Sequence, residues 1–440
     1  MKRSDTETRR KSETVHGARS RFAWHSEGSE ESLSNSTDRQ DQRGILRCAQ
    51  NDMLGGFSAS TQAEHKSPSS RSRFLHSAFC FLISALFSLC LSASAFNFAS
   101  ATALAADPSL DTLIKEGHWK RARPLAEQQY AAHPNDAHAA YQLSQVKEAF
   151  GDLDGALPLA EKAVSLDGSN ADYHYQLAGV CGEKADAASF FQKAGWAKRF
   201  KAEADKAAAL DPKNVDTRFA LIEYYLQAPR LMGGDKSKAR EMANQIAKAD
   251  AGEGYVAELR LARENHDTAT QAAVCGRALA AAIENYDALV SLASYCNLDP
   301  PQTFGAPEQV ARRALKIDPD RAFGYATLAR FYGRAGRLTD LDALLAEAEK
   351  NVADDLMPYY AAGNGLLAGN KDLPRAERYF RKYLGAVPEG EEPDLATAHW
   401  RLGLVLEKEG RKPEAIAEIE TAVKMRPSLR EAKKDLDRLK

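Results

Sequence analysis

The sequence predicts an all-α protein built from stacked helical hairpins. A spacing of 34 residues separates Gly117 from Gly151, and the same spacing separates Leu143 from Leu177. A period of this length is typical of solenoids, in which each hairpin buries its apolar face against the next one. After residue 106, alanine is abundant and β-branched residues are sparse, which favours helices over strands.

The composition excludes several classes of function. The chain has 440 residues, 27% of them charged, and a formal net charge of −2. This length exceeds one compact core and fits several domains or an extended array. No block of basic residues stands out, so nucleic acid is not an expected partner. The sequence lacks H-E-x-x-H, G-x-S-x-G, a Walker loop and paired C-x-x-C, so we expect no enzyme activity, no metal and no other cofactor.

The first part of the chain differs in composition from the rest. Residues 1–73 are rich in Ser, Arg, Glu, Asp and Gln and contain few large apolar side chains. Such a segment cannot bury enough apolar surface to offset the entropy that ordering would cost, so we expect it to be disordered. A translation start at Met53 would explain why much of the segment does not look like part of an exported protein.

Residues 74–105 have the three parts of a secretory signal peptide. Basic residues such as Arg73 precede an apolar run that ends at Phe96, and small residues follow it. The sequence Ala-Leu-Ala ending at Ala105 fits the cleavage rule, so the mature chain would begin at Ala106. We therefore expect a periplasmic or secreted protein. The apolar run is long enough to span a bilayer, so an uncleaved anchor with the protein facing the periplasm is the alternative.

Residues 106–440 carry the repeats. The last copy shows the pattern most clearly, with Leu402, Gly403, Ala415 and Pro427 at the offsets of a helix–turn–helix unit. The pattern resembles the tetratricopeptide repeat, in which small residues let two helices approach closely and proline follows the second helix. The offsets recur in eight or nine copies, and the end of the chain is expected to form a capping helix.

The resemblance implies a right-handed α-solenoid with a concave groove that holds a peptide or helix of a partner protein. In the family, certain positions on the first helix of each pair line this groove. Aromatic and charged side chains there would supply contact area and recognition of carboxylates or backbone. Carried over by offset, these positions are His138, Tyr141, Gln145, Glu148, Asp172, Tyr175, Phe219, Glu223, Phe323, Arg330, Arg334, Trp400 and Lys408.

The fourth copy of the repeat, which contains Leu221 and Ala239, has an insertion with the features of a special turn. Pro229 and the pair Gly233-Gly234 require unusual backbone angles, and Asp235 then caps the next helix. Backbone N–H groups next to a cation can hold an anion, such as a carboxylate of a partner. We therefore predict an anion-binding turn at Gly233, Gly234 and Lys236, and a longer capped turn is the alternative.

Two other patterns are interpreted as structural. Gly363 and Gly365 superficially mimic a phosphate loop, but no strand precedes them and they fall where the first helix of a repeat needs small residues. Beyond the expected cleavage site, the chain keeps Cys181, Cys275 and Cys296. Their odd number and wide spacing favour buried free thiols, although export would permit a disulfide.

Together these features predict an exported, non-catalytic interaction scaffold whose partner is a protein or peptide of unknown identity. A membrane-anchored envelope assembly factor, or an accessory non-catalytic subunit of an enzyme complex, is the alternative. Contact with a membrane is expected only if residues 74–96 are retained as an anchor.

Overall fold

The computed structural model describes residues 108–296, 305–391 and 393–440, with only the backbone at positions 190 and 191. The segments 1–73 and 74–105 lie outside the described residues, so the expected disorder and the signal peptide stay predictions. Among the described helices, none has the length and apolar character that a membrane span requires.

The described residues form nineteen α-helices, and no strand is found among them. All of these helices belong to one compact unit. In chain order they are α1 (Leu110–Glu116), α2 (Trp119–Ala132), α3 (Ala137–Ala149), α4 (Leu153–Leu166), α5 (Ala171–Ala187), α6 (Phe190–Leu210), α7 (Val215–Gln227), α8 (Lys236–Ala249), α9 (Ala251–Glu264), α10 (Thr268–Ala280), α11 (Tyr286–Tyr295), α12 (Gly305–Ile317), α13 (Ala322–Ala335), α14 (Leu338–Asn351), α15 (Met357–Ala368), α16 (Leu373–Leu384), α17 (Leu395–Lys408), α18 (Lys412–Met425) and α19 (Arg430–Leu439).

Consecutive helices pack as pairs, from α1 with α2 to α17 with α18, and α19 packs on α18 at the end of the array. Each pair also packs on the next one, for example α13 on α15, so the apolar faces form an extended core. The all-α solenoid that the sequence predicts is confirmed. Because each pair is covered mainly by its neighbours, an isolated pair would leave its apolar face exposed.

The glycine period marks the ends of the first helices in the pairs. Gly117 and Gly151 follow α1 and α3 and have φ angles of +87° and +73°. Gly336 and Gly410 end α13 and α17 in the same left-handed conformation, with φ angles of +70° and +78°. Glycine adopts these angles without the steric cost that a Cβ atom imposes. The period therefore records where each first helix must stop and the chain must turn.

Short polar side chains mark the starts of several first helices. Each of them accepts a hydrogen bond from a backbone N–H of the first turn, which satisfies a group that the helix itself leaves unpaired. These capping residues are Asp136, Asn170, Asn214, Asn285 and Asp394. Glycine at the end and a polar cap at the start together fix the length of the first helix.

Some ion pairs join neighbouring repeats at the sequence period. Arg321 lies 2.6 Å from Asp287, and Arg411 lies 2.7 Å from Glu377. Both pairs join residues 34 positions apart. Partly exposed pairs of this kind each contribute little free energy, but they favour one stacking register of the repeats.

Glycines bring α13 and α15 unusually close together. A Cβ atom on Gly365 would lie 2.3 Å from the carbonyl oxygen of Arg330, and one on Gly369 would lie 2.3 Å from that of Arg334. On the opposite helix, a Cβ on Gly333 would lie 2.8 Å from the carbonyl oxygen of Ala362. These glycines serve helix packing, in agreement with the structural interpretation of this segment over the phosphate-loop one.

We expect Gly365→Ala to lower the free energy of unfolding by about 1–3 kcal/mol, because the added methyl group must displace the backbone of α13. Gly276→Ala in α10 is the matched control, since nothing lies within 4 Å of its added Cβ. That change should raise the free energy of unfolding by about 0.5–1 kcal/mol through helix propensity. Denaturant unfolding measures the change in the free energy of unfolding for both variants. Equal changes would contradict the close approach of α13 and α15.

The expectation that the three cysteines are free thiols is wrong for two of them. Cys275 in α10 and Cys296 at the end of α11 form a disulfide, with their Cα atoms 5.4 Å apart. The chain returns alongside itself between these positions, so residues 21 apart in sequence become neighbours. Cys181 is a free and buried thiol, and burial raises its pKa to about 12.

Candidate partner-binding surface

The predicted groove residues all lie on first helices of their pairs, and they differ in burial. Five of them are buried, namely Tyr141, Gln145, Phe219, Glu223 and Arg334. The others remain at least partly open to solvent: His138, Glu148, Asp172, Tyr175, Phe323, Arg330 and Trp400 are half-buried, and Lys408 is exposed. The offsets therefore place a row of side chains on α3, α5, α7, α13 and α17, of which the open ones could touch a partner.

The predicted residues on α3 take part in an internal hydrogen-bond network. The ring of His138 lies 3.0 Å from the carboxylate of Asp111 in α1, which also accepts a 2.6 Å hydrogen bond from Gln142. The hydrogen bond with His138 lowers the pKa of Asp111, and the same bond raises the pKa of His138. Gln145 donates a 3.0 Å hydrogen bond to the hydroxyl of Tyr141. This face of α3 is held in place by α1.

Glu223 has a buried partner that sequence reasoning missed. Arg260 in α9 donates to Glu223 in α7 through two nitrogens, at 2.7 Å and 2.8 Å. The side chains of Arg260 and Glu223 are only 9% and 2% exposed. The two residues are 37 positions apart rather than 34, and they belong to the least regular part of the repeat pattern. Glu223 is thus a packing residue in this structure.

The open residues near the end of the array combine an aromatic ring with cations. The indole N–H of Trp400 donates a 2.9 Å hydrogen bond to Asp435 in the terminal helix. The guanidinium of Arg401 lies 4.4 Å from the centre of the Trp400 ring. Lys408 is exposed and lies 3.5 Å from the side chain of Asn370. Such a combination can contact an extended peptide through stacking and through pairing with a carboxylate.

The turn predicted to bind an anion uses its glycine N–H groups internally. The N–H of Gly233 donates to the carbonyl of Arg230 at 3.0 Å, and that of Gly234 donates to Pro229 at 3.1 Å. Asp235 caps the following helix, as predicted, and Lys236 donates to Asn265 at 3.1 Å. The anion-binding turn at Gly233, Gly234 and Lys236 stays a prediction, and the two glycine N–H groups on which it depends already have intramolecular acceptors. The capped turn describes the segment.

Among the described residues, one group has the chemistry to hold a metal ion. Potential ligand atoms of His118, Asp354 and Glu389 lie within 4.8 Å of one another. The ammonium of Lys120, however, lies 3.0 Å from a carboxylate oxygen of Glu389 and also donates to the backbone carbonyl of Asp354. A divalent ion on the same carboxylate would lie within about 4 Å of this ammonium and be repelled by it. The group is therefore an ion-pair network.

These features define the class of the protein as an all-α repeat array. The tetratricopeptide repeat family matches residues 110–171, which contain the first two helix pairs, and residues 360–429, which contain most of the last two. The chain therefore carries tetratricopeptide repeats in these two regions.

Comparison with solved structures finds the crystal structure of yeast Tom70 among the similar proteins. The two chains are 15% identical, with a TM-score of 0.38 over 75% of this chain and 79% of that chain. Comparison with curated proteins finds no match.

Proposed function

We propose that the protein is a non-catalytic scaffold that holds a peptide or a helix of a partner protein against the first helices of its repeats. Tetratricopeptide repeats generally bind protein partners. The observation that carries the proposal is a set of at least partly open aromatic and basic side chains on three of the first helices, α5, α13 and α17: Tyr175, Phe323, Arg330, Trp400 and Lys408.

The sign of the charges changes along this row and suits an extended partner with a defined direction. Glu148 and Asp172 lie on α3 and α5, whereas Arg330 and Lys408 lie on α13 and α17. Complementary charge fixes register and suppresses wrong partners more than it raises affinity. A partner segment that is basic at one end and acidic at the other matches this arrangement.

We also propose that the repeat array works outside the cytoplasm. The disulfide between Cys275 and Cys296 supports this location, because such bonds persist in oxidising compartments and are rare in the cytosol. The predicted signal peptide at residues 74–105 supports the same proposal. Recovery of a shortened soluble chain after a carbonate wash of the envelope fraction would agree with export and cleavage. Full-length protein retained in the membrane would favour the anchored alternative.

Affinity capture from native envelope extract tests the binding surface. The double variant Arg330→Glu with Lys408→Glu should reduce recovery of the partner by at least about tenfold, since like charges would then face an acidic segment. Lys248→Glu with Lys424→Glu is the matched control, because it makes the same change in charge at exposed positions on second helices. Unchanged recovery with the first double variant, at unchanged helical signal, would refute this surface.

A further inference from the structure

The turn between α1 and α2 contacts loops that are far away in the sequence. His118 lies 3.1 Å from Asp354, which is 236 residues further on, and Lys120 bonds to Glu389, which is 269 residues further on. In a solenoid, each repeat normally contacts only its neighbours. These bonds therefore join the start of the array to its later repeats, and we call this contact the junction.

The junction contains backbone as well as side-chain hydrogen bonds. The backbone N–H of Lys120 donates to a carboxylate oxygen of Glu389 at 2.9 Å, and its ammonium donates to the carbonyl of Val387 at 3.2 Å. The N–H of Glu391 donates to the carbonyl of Ala149 at 2.7 Å. A Cβ on Gly390 would lie 2.9 Å from that same carbonyl, so the loop approaches α3 closely.

Ionisable groups face the junction from every element that meets there. The α1–α2 side carries both signs of charge, and the loops before α13, α15 and α17 are mostly acidic. The groups are Lys115, Glu116, His118, Lys120 and Arg121 on the first side, and Asp318, Asp320, Arg321, Asp354, Asp355, Glu389 and Glu391 on the loops. Closing the junction thus brings several carboxyl groups at least partly out of water, with fewer cations than carboxyl groups beside them.

Most of the shifted groups at the junction bind a proton more tightly when it is closed. Burial raises the pKa of Glu389 to about 7, although Lys120 donates to it, and burial raises the pKa of Asp355 to about 6. Burial disfavours the charged form of His118 and by itself lowers the pKa of that residue. The hydrogen bond and the charge of Asp354 together have the larger effect, so the pKa of His118 is raised. For Asp354, burial alone would raise the pKa. The hydrogen bond and the charge of His118 have the larger effect, so the net result is a lowered pKa.

We propose that the junction is a proton-dependent closure of the array, held shut at mildly acidic pH and loosened at mildly alkaline pH. Groups with a raised pKa stabilise the closed form fully only below their ordinary pKa, which is about 4 for a carboxyl group, and this stabilisation is lost as the pH rises from there to about 7. Asp354 acts in the opposite sense, because its contribution is lost when it becomes protonated below about pH 4. The closure is therefore strongest near about pH 4 to 5 and weakens progressively up to about pH 7.

Opening the junction would release the first helix pair and uncover the loops around Asp354 and Glu389. The closure does not depend on the proposed partner binding, because all of its groups belong to this chain. It would nevertheless decide when the beginning of the array is available to other molecules.

Hydrogen exchange of the full chain tests the closure. The amides of Lys120 and Glu391 report on it directly, because both donate across the junction. After correction for intrinsic exchange rates, we expect their protection to fall at least about tenfold between pH 5.5 and pH 8.5, since one pKa unit corresponds to a tenfold change. The amide of Asp235, which donates to Tyr225 within one repeat, should keep its protection.

Glu389→Gln keeps an acceptor for Lys120 but removes the titration, so its junction amides should stay protected at pH 8.5. Glu127→Gln is the matched control, because that carboxylate is 52% exposed on α2, and the variant should respond to pH as the wild type does. If Glu389→Gln does not fold, His118→Asn should reduce junction protection at pH 5.5 at least threefold, with little change at pH 8.5. Wild-type protection that is independent of pH would overturn the proposal. A Glu389→Gln or His118→Asn variant that behaves as the wild type would also overturn it.

Discussion

Arg260→Met is expected to lower the free energy of unfolding by about 3–5 kcal/mol, because it leaves the carboxylate of Glu223 buried without its cation. Both nitrogens that bind Glu223 lie within 2.8 Å of its oxygens, and the carboxylate side chain is almost fully enclosed. Water cannot replace the lost guanidinium at such a site, so the desolvation cost remains. Denaturant unfolding of the wild type and the variant, followed by circular dichroism, measures the loss.

A second variant separates the cost of an unpaired charge from the value of the pair. Glu223→Leu combined with Arg260→Met removes both charges, and we expect it to recover most of the lost free energy. Arg277→Met breaks a pair with Glu258 that is about half exposed, so its cost should stay below about 1 kcal/mol. Equal losses in Arg260→Met and Arg277→Met would contradict the idea that burial makes the first pair important.

The fold could be predicted because the sequence repeats the same local requirements. Gly117 and Gly151 lie one period of 34 residues apart, and each has a left-handed backbone at the end of a first helix. Gly365 was expected to permit close packing, and it lies against the backbone of Arg330. Each of these requirements depends only on the local backbone or on the neighbouring repeat. The same residue type is therefore needed once in each repeat, and this gives the sequence its period.

The burial of the predicted groove residues could not be read from the sequence, because an offset gives the helix face but not the neighbours of a side chain. Tyr141 and Glu223 were assigned to the groove, yet both are buried against other residues of the chain. The sequence pattern did not indicate Arg260 as the partner of Glu223, because the two residues are 37 positions apart and the repeat period is 34. Burial at an array interface depends on the exact stacking of two helices, which the repeat pattern does not encode.

The junction left no signal in the sequence for a different reason. His118 and Glu389 belong to a turn and a loop, where the repeat pattern places no requirement on residue type. They meet only because many small rotations between neighbouring pairs add up along the array. The repeat pattern describes each pair and its neighbour, so it does not indicate which distant residues the accumulated rotation brings together.

Replacing Cys275 and Cys296 together by alanine is expected to lower the free energy of unfolding by about 3 kcal/mol. A cross-link that closes a loop of 21 residues restricts the unfolded chain and stabilises the folded one by roughly this amount. The two helices that it joins, α10 and α11, belong to neighbouring pairs, so the bond ties one pair to the next. Denaturant unfolding under non-reducing conditions measures the change, and hydrogen exchange of α10 and α11 locates it.

Reductant provides the control for this comparison. Added to the wild type, it should lower the unfolding midpoint to that of the double variant, and it should leave the double variant itself unchanged. Cys181→Ala removes a thiol that is buried but not cross-linked, so the response of that variant to reductant should match that of the wild type. If reductant leaves the wild-type midpoint where it was, the two cysteines do not stabilise the array through a covalent bond. The disulfide would then no longer support an oxidising location.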